Sequence, residues 1–217
     1  MHELRRRMAQ SRREANFTSY LTSSSFQQRK EKWPAKMKAS SLRRENWWMH
    51  PDYHKYPQMP EFHIHFRVEM GNMLAAIYDA YSFHKEGCRN KRERRMNLAL
   101  NTFEGSMSTL SFHVSIEERR VFPMMQHQVK DDGLDLSFLY DDHKNLHMAE
   151  ERLMKSLKRC LADCVKGKET EAHDAAVEGS LHAVIAHALE FDTIFLNHLG
   201  EEEEVVVPIT LLYGVNF

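Results

Sequence analysis

Cysteine is scarce in this chain: Cys88, Cys160 and Cys164 are the only three in 217 residues. So small and odd a number builds no disulfide framework and fits a reducing compartment. Cys160 and Cys164 fall one helical turn apart and are expected as small apolar core residues rather than a redox or metal pair. Long apolar runs are missing too. The stretch 205–212 is far shorter than the roughly 20 residues of a spanning helix and contains Pro208, so no transmembrane segment is expected. With 30 basic against 31 acidic residues there is no global field for nucleic acid, and binding to it is not expected. Several motifs are lacking as well. There is no Gly-rich phosphate loop, and the single His-Glu pair, His2-Glu3, has no histidine at zinc-protease spacing. None of the fourteen histidines has a glutamate three residues before it, which counts against the Glu-x-x-His of ferritin-like di-iron bundles.

What is present is histidine, methionine and an uneven distribution of charge. Residues 1–50 hold 12 basic and 4 acidic side chains, and residues 51–217 hold 18 and 27. Residues 1–58 therefore read as a basic N-terminal extension, largely irregular and partly disordered, ending in the aromatic stretch from Trp47 to Pro57. Its rings are expected to cover an apolar surface. An organelle transit peptide is the alternative reading of the basic head, which Glu3, Glu14 and Glu31 weaken. The cytoplasm is otherwise the expected location.

Residues 59–217 carry helical periodicity. Pro60 opens a first helix with His63, Phe66, Met70, Met73, Ile77 and Tyr81 inward, while His65, Glu69, Asn72 and Ala76 fall on another face. Gly87 is its expected cap. A second helix from about Lys91 has Met96, Leu100, Phe103, Met107, Leu110, Val114 and Glu117 inward and His113 at the edge, and Pro123 weakens or kinks it. A third runs from about Leu136 to Lys166 with His143 inward and His147 one turn below. A fourth spans roughly residues 171–206, with Val184, Phe191, His198 and Glu202 inward and Pro208 just beyond its end. Of the four glutamates 201–204, one or two are expected to face inward, Glu202 first. The fold class is all-α: an antiparallel up-down four-helix bundle.

The second and fourth helices share a repeat. His113-x3-Glu117-Glu118-x2-Val121-x-Pro123 and His198-x3-Glu202-Glu203-x2-Val206-x-Pro208 match position by position. Residues four apart share a helix face with Cβ atoms roughly 5–6 Å apart, so each imidazole and carboxylate can hold one metal. The depths agree. From His63 to Gly87 and from there to His113 are about 24 residues each, roughly 36 Å at 1.5 Å per residue. His143 and His198 come level to within about one turn across Gly167. Imidazoles and carboxylates without thiolates suit two first-row metals bridged by carboxylates.

This arrangement resembles the hemerythrin family and its HHE cation-binding proteins, over about residues 60–213. The resemblance implies a hemerythrin-like bundle with an oxo- or hydroxo-bridged centre of two Fe ions. Its metal ligands would be His63, His113 and Glu117 from one half, and His143, His198 and Glu202 from the other. His147 matches the second histidine of the His-x3-His in oxygen-carrying hemerythrins. Those carriers place their last carboxylate five residues after the last histidine, where Glu203 stands here; Glu202 is preferred because it repeats Glu117.

The expected function is non-haem di-iron binding, with O2, NO, peroxide or iron bound or sensed. Two alternatives are a di-iron enzyme, reducing peroxide or NO or donating iron in iron-sulfur repair, and a metal-stabilised module that meets a protein partner through the N-terminal extension. A metal- or oxygen-binding protein is preferred to a catalyst.

Overall fold

In the computed structural model residues 20–42, 44–53, 59–165 and 170–214 are described. Among them there is no strand, and no helix is long and apolar enough to cross a membrane. Among the described residues seven α-helices are bounded, in order α1 (Ser24–Glu31), α2 (Ala35–Ala39), α3 (Met59–Lys85), α4 (Arg89–Ile116), α5 (Phe122–Val129), α6 (Ser137–Val165) and α7 (Glu171–Tyr213).

The four long helices form a ring, with α3 and α6 each packed on both α4 and α7. Short turns reverse the chain between them. Gly87 and Gly133 sit at φ +68° and +74°, a left-handed conformation that a side chain resists and glycine accepts. Thr170 caps α7, its hydroxyl accepting from the His173 amide. Gly167, expected to end the third helix, lies outside the described residues.

The inward stripes meet in one apolar core that runs the length of the ring and includes Phe66, Met70, Met73, Met96, Phe103, Leu153, Leu157, Phe191 and Phe195. Phe103 meets Phe191 edge-on at 5.1 Å, and Phe191 stacks on Phe195 at 5.6 Å. Cys160 and Cys164 are buried in this core as free thiols. Ala76 is also buried, because its small side chain lies at the wide edge of the α3 stripe.

Two departures from the sequence reading concern proline. Ahead of Pro123 the chain widens into a π-helical segment, Glu117–Val121, in which the Phe122 amide donates to the Glu117 carbonyl five residues back. A proline has no N–H for the α ladder, and a π turn is one way to absorb the misfit. Pro208, by contrast, does not end α7, which continues to Tyr213. The lost hydrogen bond is offset by burial: Val205, Val206 and Ile209 enter a second apolar cluster, and Val207 and Leu211 a third.

That second cluster explains the third departure. The stretch expected to be irregular forms α1 and α2, and its Phe26, Trp33 and Met37 are buried against Val121, Phe122, Met125, Leu136, Leu139 and Ile209. The Ser23 hydroxyl accepts from the Phe26 amide and starts α1. No periodic stripe is needed, since three large side chains anchor two short helices onto the end of the ring. Trp47 covers Val207 and Leu211, as an aromatic lid was expected to do, while Trp48 is exposed. Residues 1–19 and His54 lie outside the described residues.

Candidate metal centre

Between the ring core and the N-terminal cap lies a set of buried polar side chains. His63, Glu117, His143, His198 and Glu202 are all buried, and His113 nearly so. The periodicity that makes α3 and α6 amphipathic also aims His63 and His143 inward, one turn from Phe66 and Leu139. The repeat on α4 and α7 aims the rest.

The donors form two groups, each with its ligand atoms within 4.8 Å of one another: His63, His113, Glu117 and Glu202 in one, His143, His198 and Glu202 in the other. Glu202 belongs to both. The Nε2 atoms of His63 and His113 approach to 3.2 Å, and Nε2 of His113 lies 2.9 Å from Oε1 of Glu117. On the other side, Nε2 of His143 is 3.3 Å from Oε1 of Glu202 and 3.7 Å from Oε2 of Glu117, and Nε2 of His198 is 3.3 Å from Oε1 of Glu202. Six of the seven residues singled out in the sequence are thus brought together.

His147 is not among them. Its side chain is 67% exposed and turned toward Glu150 and Glu151, at 3.3 and 3.5 Å. Four residues advance a helix by a turn and some 40°, which carries His147 off the inward stripe toward the α4 flank.

The glutamate run is buried more deeply than expected, because Glu201, Glu202 and Glu203 all face inward. Each has its own partners. Glu203 accepts from Nδ1 of His63 at 2.9 Å and from Arg67 at 2.7 Å. Glu201 accepts from Tyr20 and Arg29, and Arg29 also reaches Asp142 at 3.3 Å. On the other copy Glu118 accepts from Nδ1 of His143 at 2.9 Å. The second glutamate of each repeat therefore holds the outer nitrogen of a histidine from the neighbouring helix pair. With Nδ1 donating, the lone pair of each neutral ring is left on Nε2, facing the centre.

These partner residues were missed in the sequence. The doublet Glu-Glu is itself part of the repeat, and Arg67 stands four residues after His63 on the same face. Both signals were legible. Nothing in the composition of residues 20–31 pointed to Tyr20 and Arg29 as partners of Glu201.

The electrostatics of the site suit a cation. Burial, then His143 and His113, hold the His198 imidazole well below its ordinary pKa. Burial, then Glu117, push the Glu202 carboxyl well above its own. For His113 burial works downward, but Glu117 and Glu202 raise it on balance. Asp142, beside His143 in the chain, is raised to about 7 by burial and Glu201, with Arg29 opposing. Both oxygens of Glu117, Oε2 of Glu202 and both nitrogens of His198 are buried without a hydrogen-bond partner. Buried polar atoms left unpaired in this way cost roughly 1–3 kcal/mol each. A divalent cation among them would satisfy the lone pairs and favour the ionised carboxylates. The donor set fits a metal.

The fold and site define a class: an all-helical protein whose inward histidines and glutamates form two groups able to hold metal, joined through one shared carboxylate. Comparison of the chain with family models, with curated proteins and with solved structures finds no match.

Proposed function

We propose that this chain is a non-haem di-iron binding protein of the hemerythrin-like kind, which binds or senses O2, NO, peroxide or iron itself. The supporting observation is Glu202, a member of both donor groups, which two metals would share. His63, His113 and Glu117 would hold one ion, and His143 and His198 the other. Nitrogen and oxygen donors with no thiolate favour iron or manganese over the metals that cysteine selects. When bound, two irons would supply an open coordination position and a reversible change of oxidation state.

The chain's own residues prepare that chemistry. Glu118 and Glu203 fix the tautomers of His143 and His63, so no ring need turn when metal arrives. The rings of Phe66 and Phe122, 5.6 Å from His113 and 5.3 Å from His143, keep water from the donors. The free cysteines suit the cytoplasm.

A second reading is favoured by the position of His147. With that imidazole turned away, the His143 group has fewer nitrogen ligands than an oxygen carrier's third helix would supply, so the site is more open to reaction. An enzyme that reduces peroxide or NO, or one that donates iron, would use that opening. One experiment separates the readings. The protein is loaded with ferrous iron without air and titrated with O2 or NO. A spectrum that returns on purging supports binding or sensing; ligand consumed beyond the iron present supports catalysis. No spectral response to either gas contradicts binding, sensing or reduction of O2 and NO and leaves iron itself as the ligand or cargo.

A further inference from the structure

The two halves share a sequence plan but not an exposure. On the His63 side, Glu203 is fully buried and its carboxylate is clamped by Arg67. On the His143 side, Glu118 is 39% exposed, and among the described residues it has no arginine or lysine partner. A groove of about 300 Å³ opens along the α4–α6 seam there, lined by Ser111, Val114, Glu118, Lys144 and His147, with His143 at its floor. The groove thus runs from solvent to the outer edge of a residue in the metal cluster. The π segment contributes to this, since it begins at Glu117 and carries Glu118 on its first turn.

From this asymmetry we infer that the two metal positions are unequal: the metal at His143 is the exchangeable one, and it and small ligands reach the centre through the α4–α6 groove past Glu118. This rests on the two-metal reading above. Glu118 acts as a positioning residue. It holds the His143 ring by one hydrogen bond, from a side chain that solvent can reach and displace. His63 is held by a buried carboxylate that is itself held by a guanidinium, and so releases its metal slowly. His147 and Glu150 at the groove mouth offer an incoming cation its first nitrogen and oxygen contacts.

Metal release tests the assignment directly. The full chain is loaded with ferrous iron without air, its iron is counted, and an excess of ferrozine is added. Release is expected in two equal phases, with rates that differ about tenfold, the scale on which outer-shell partners change metal affinity. Glu118→Gln should speed the fast phase about tenfold and leave the slow one unchanged. Ser111→Trp, a substitution at an exposed position that fills the groove, should slow the fast phase alone. Release in a single phase that neither variant alters overturns the inference and leaves the two-metal reading intact. So does acceleration of the fast phase by Glu203→Gln instead of Glu118→Gln. Fewer than two irons in the unaltered chain overturns both.

Discussion

In the first copy of the repeat the helix leaves α geometry at Glu117, and the second glutamate reaches solvent; in the second copy the helix stays α through Pro208, and three consecutive glutamates are buried. The residues at the matching positions are the same, so the difference lies in what surrounds them. The second copy is enclosed by Arg67 from α3 and by Tyr20 and Arg29 from the N-terminal cap, three donors for Glu203 and Glu201. At the first copy the positions beside Glu118 are Arg119 and Arg120, both exposed. A buried carboxylate is tolerated only where a partner is at hand. One half of a repeated motif is thus closed, and the other is open.

The largest effect is expected from removing what the two halves share. Glu202→Gln should weaken both metal positions by more than about a hundredfold, because a neutral amide cannot bridge two cations. Glu117→Gln, which belongs to one group only, should leave one metal bound. Metal counts on the two purified variants check this, and equal losses would contradict the special place of Glu202.

Next comes the closed half. Glu203→Gln should weaken metal at His63 by roughly 10–100-fold and, by leaving Arg67 without its carboxylate, lower stability by about 1–3 kcal/mol. Urea unfolding with and without metal separates the two effects. Smaller still is the cap: Arg29→Ala leaves Glu201 with Tyr20 alone and should cost about 1–2 kcal/mol, with the metal count unchanged. Loss of metal in that variant would mean that the cap shapes the site and not only its surroundings. The smallest expected effect is that of His147→Leu. A side chain this exposed should change stability by less than about 0.5 kcal/mol and leave the metal count and visible spectrum as they were.

Most of the ring was legible in the sequence, because the four inward stripes are long and their spacing leaves little choice of face. Five of the six clustered donors lie on those stripes, and the matching helix lengths put His63 level with His113 and His143 level with His198. His147 lies outside the cluster because i and i+4 share a face only to within some 40°, and at the rim of a stripe that angle decides between cluster and solvent. Pro208 was read as a stop on local grounds, whereas the apolar residues from Val205 to Leu211 bury enough surface to carry the helix past it. The cap was invisible for a different reason. Phe26, Trp33 and Met37 are too few for a sustained stripe and Pro34 falls between them, so their order comes from the surface they cover, which is a tertiary fact. Glu118 and Glu203 were on view in the repeat, but their partners sit on other helices.

Whether the buried histidines and glutamates hold two irons is decided by metal analysis of the purified full chain, with visible spectra of the reduced and air-oxidised protein and thermal unfolding before and after chelation. Two irons per chain are expected, with absorption bands of a bridged ferric pair on oxidation and a melting temperature that falls when the metal is removed. With free metal at about a thousand times its dissociation constant, the stabilisation lost would be about 4 kcal/mol for each site. Zinc in place of iron, or a metal-free chain that melts at the same temperature and takes up none, would contradict the two-iron reading.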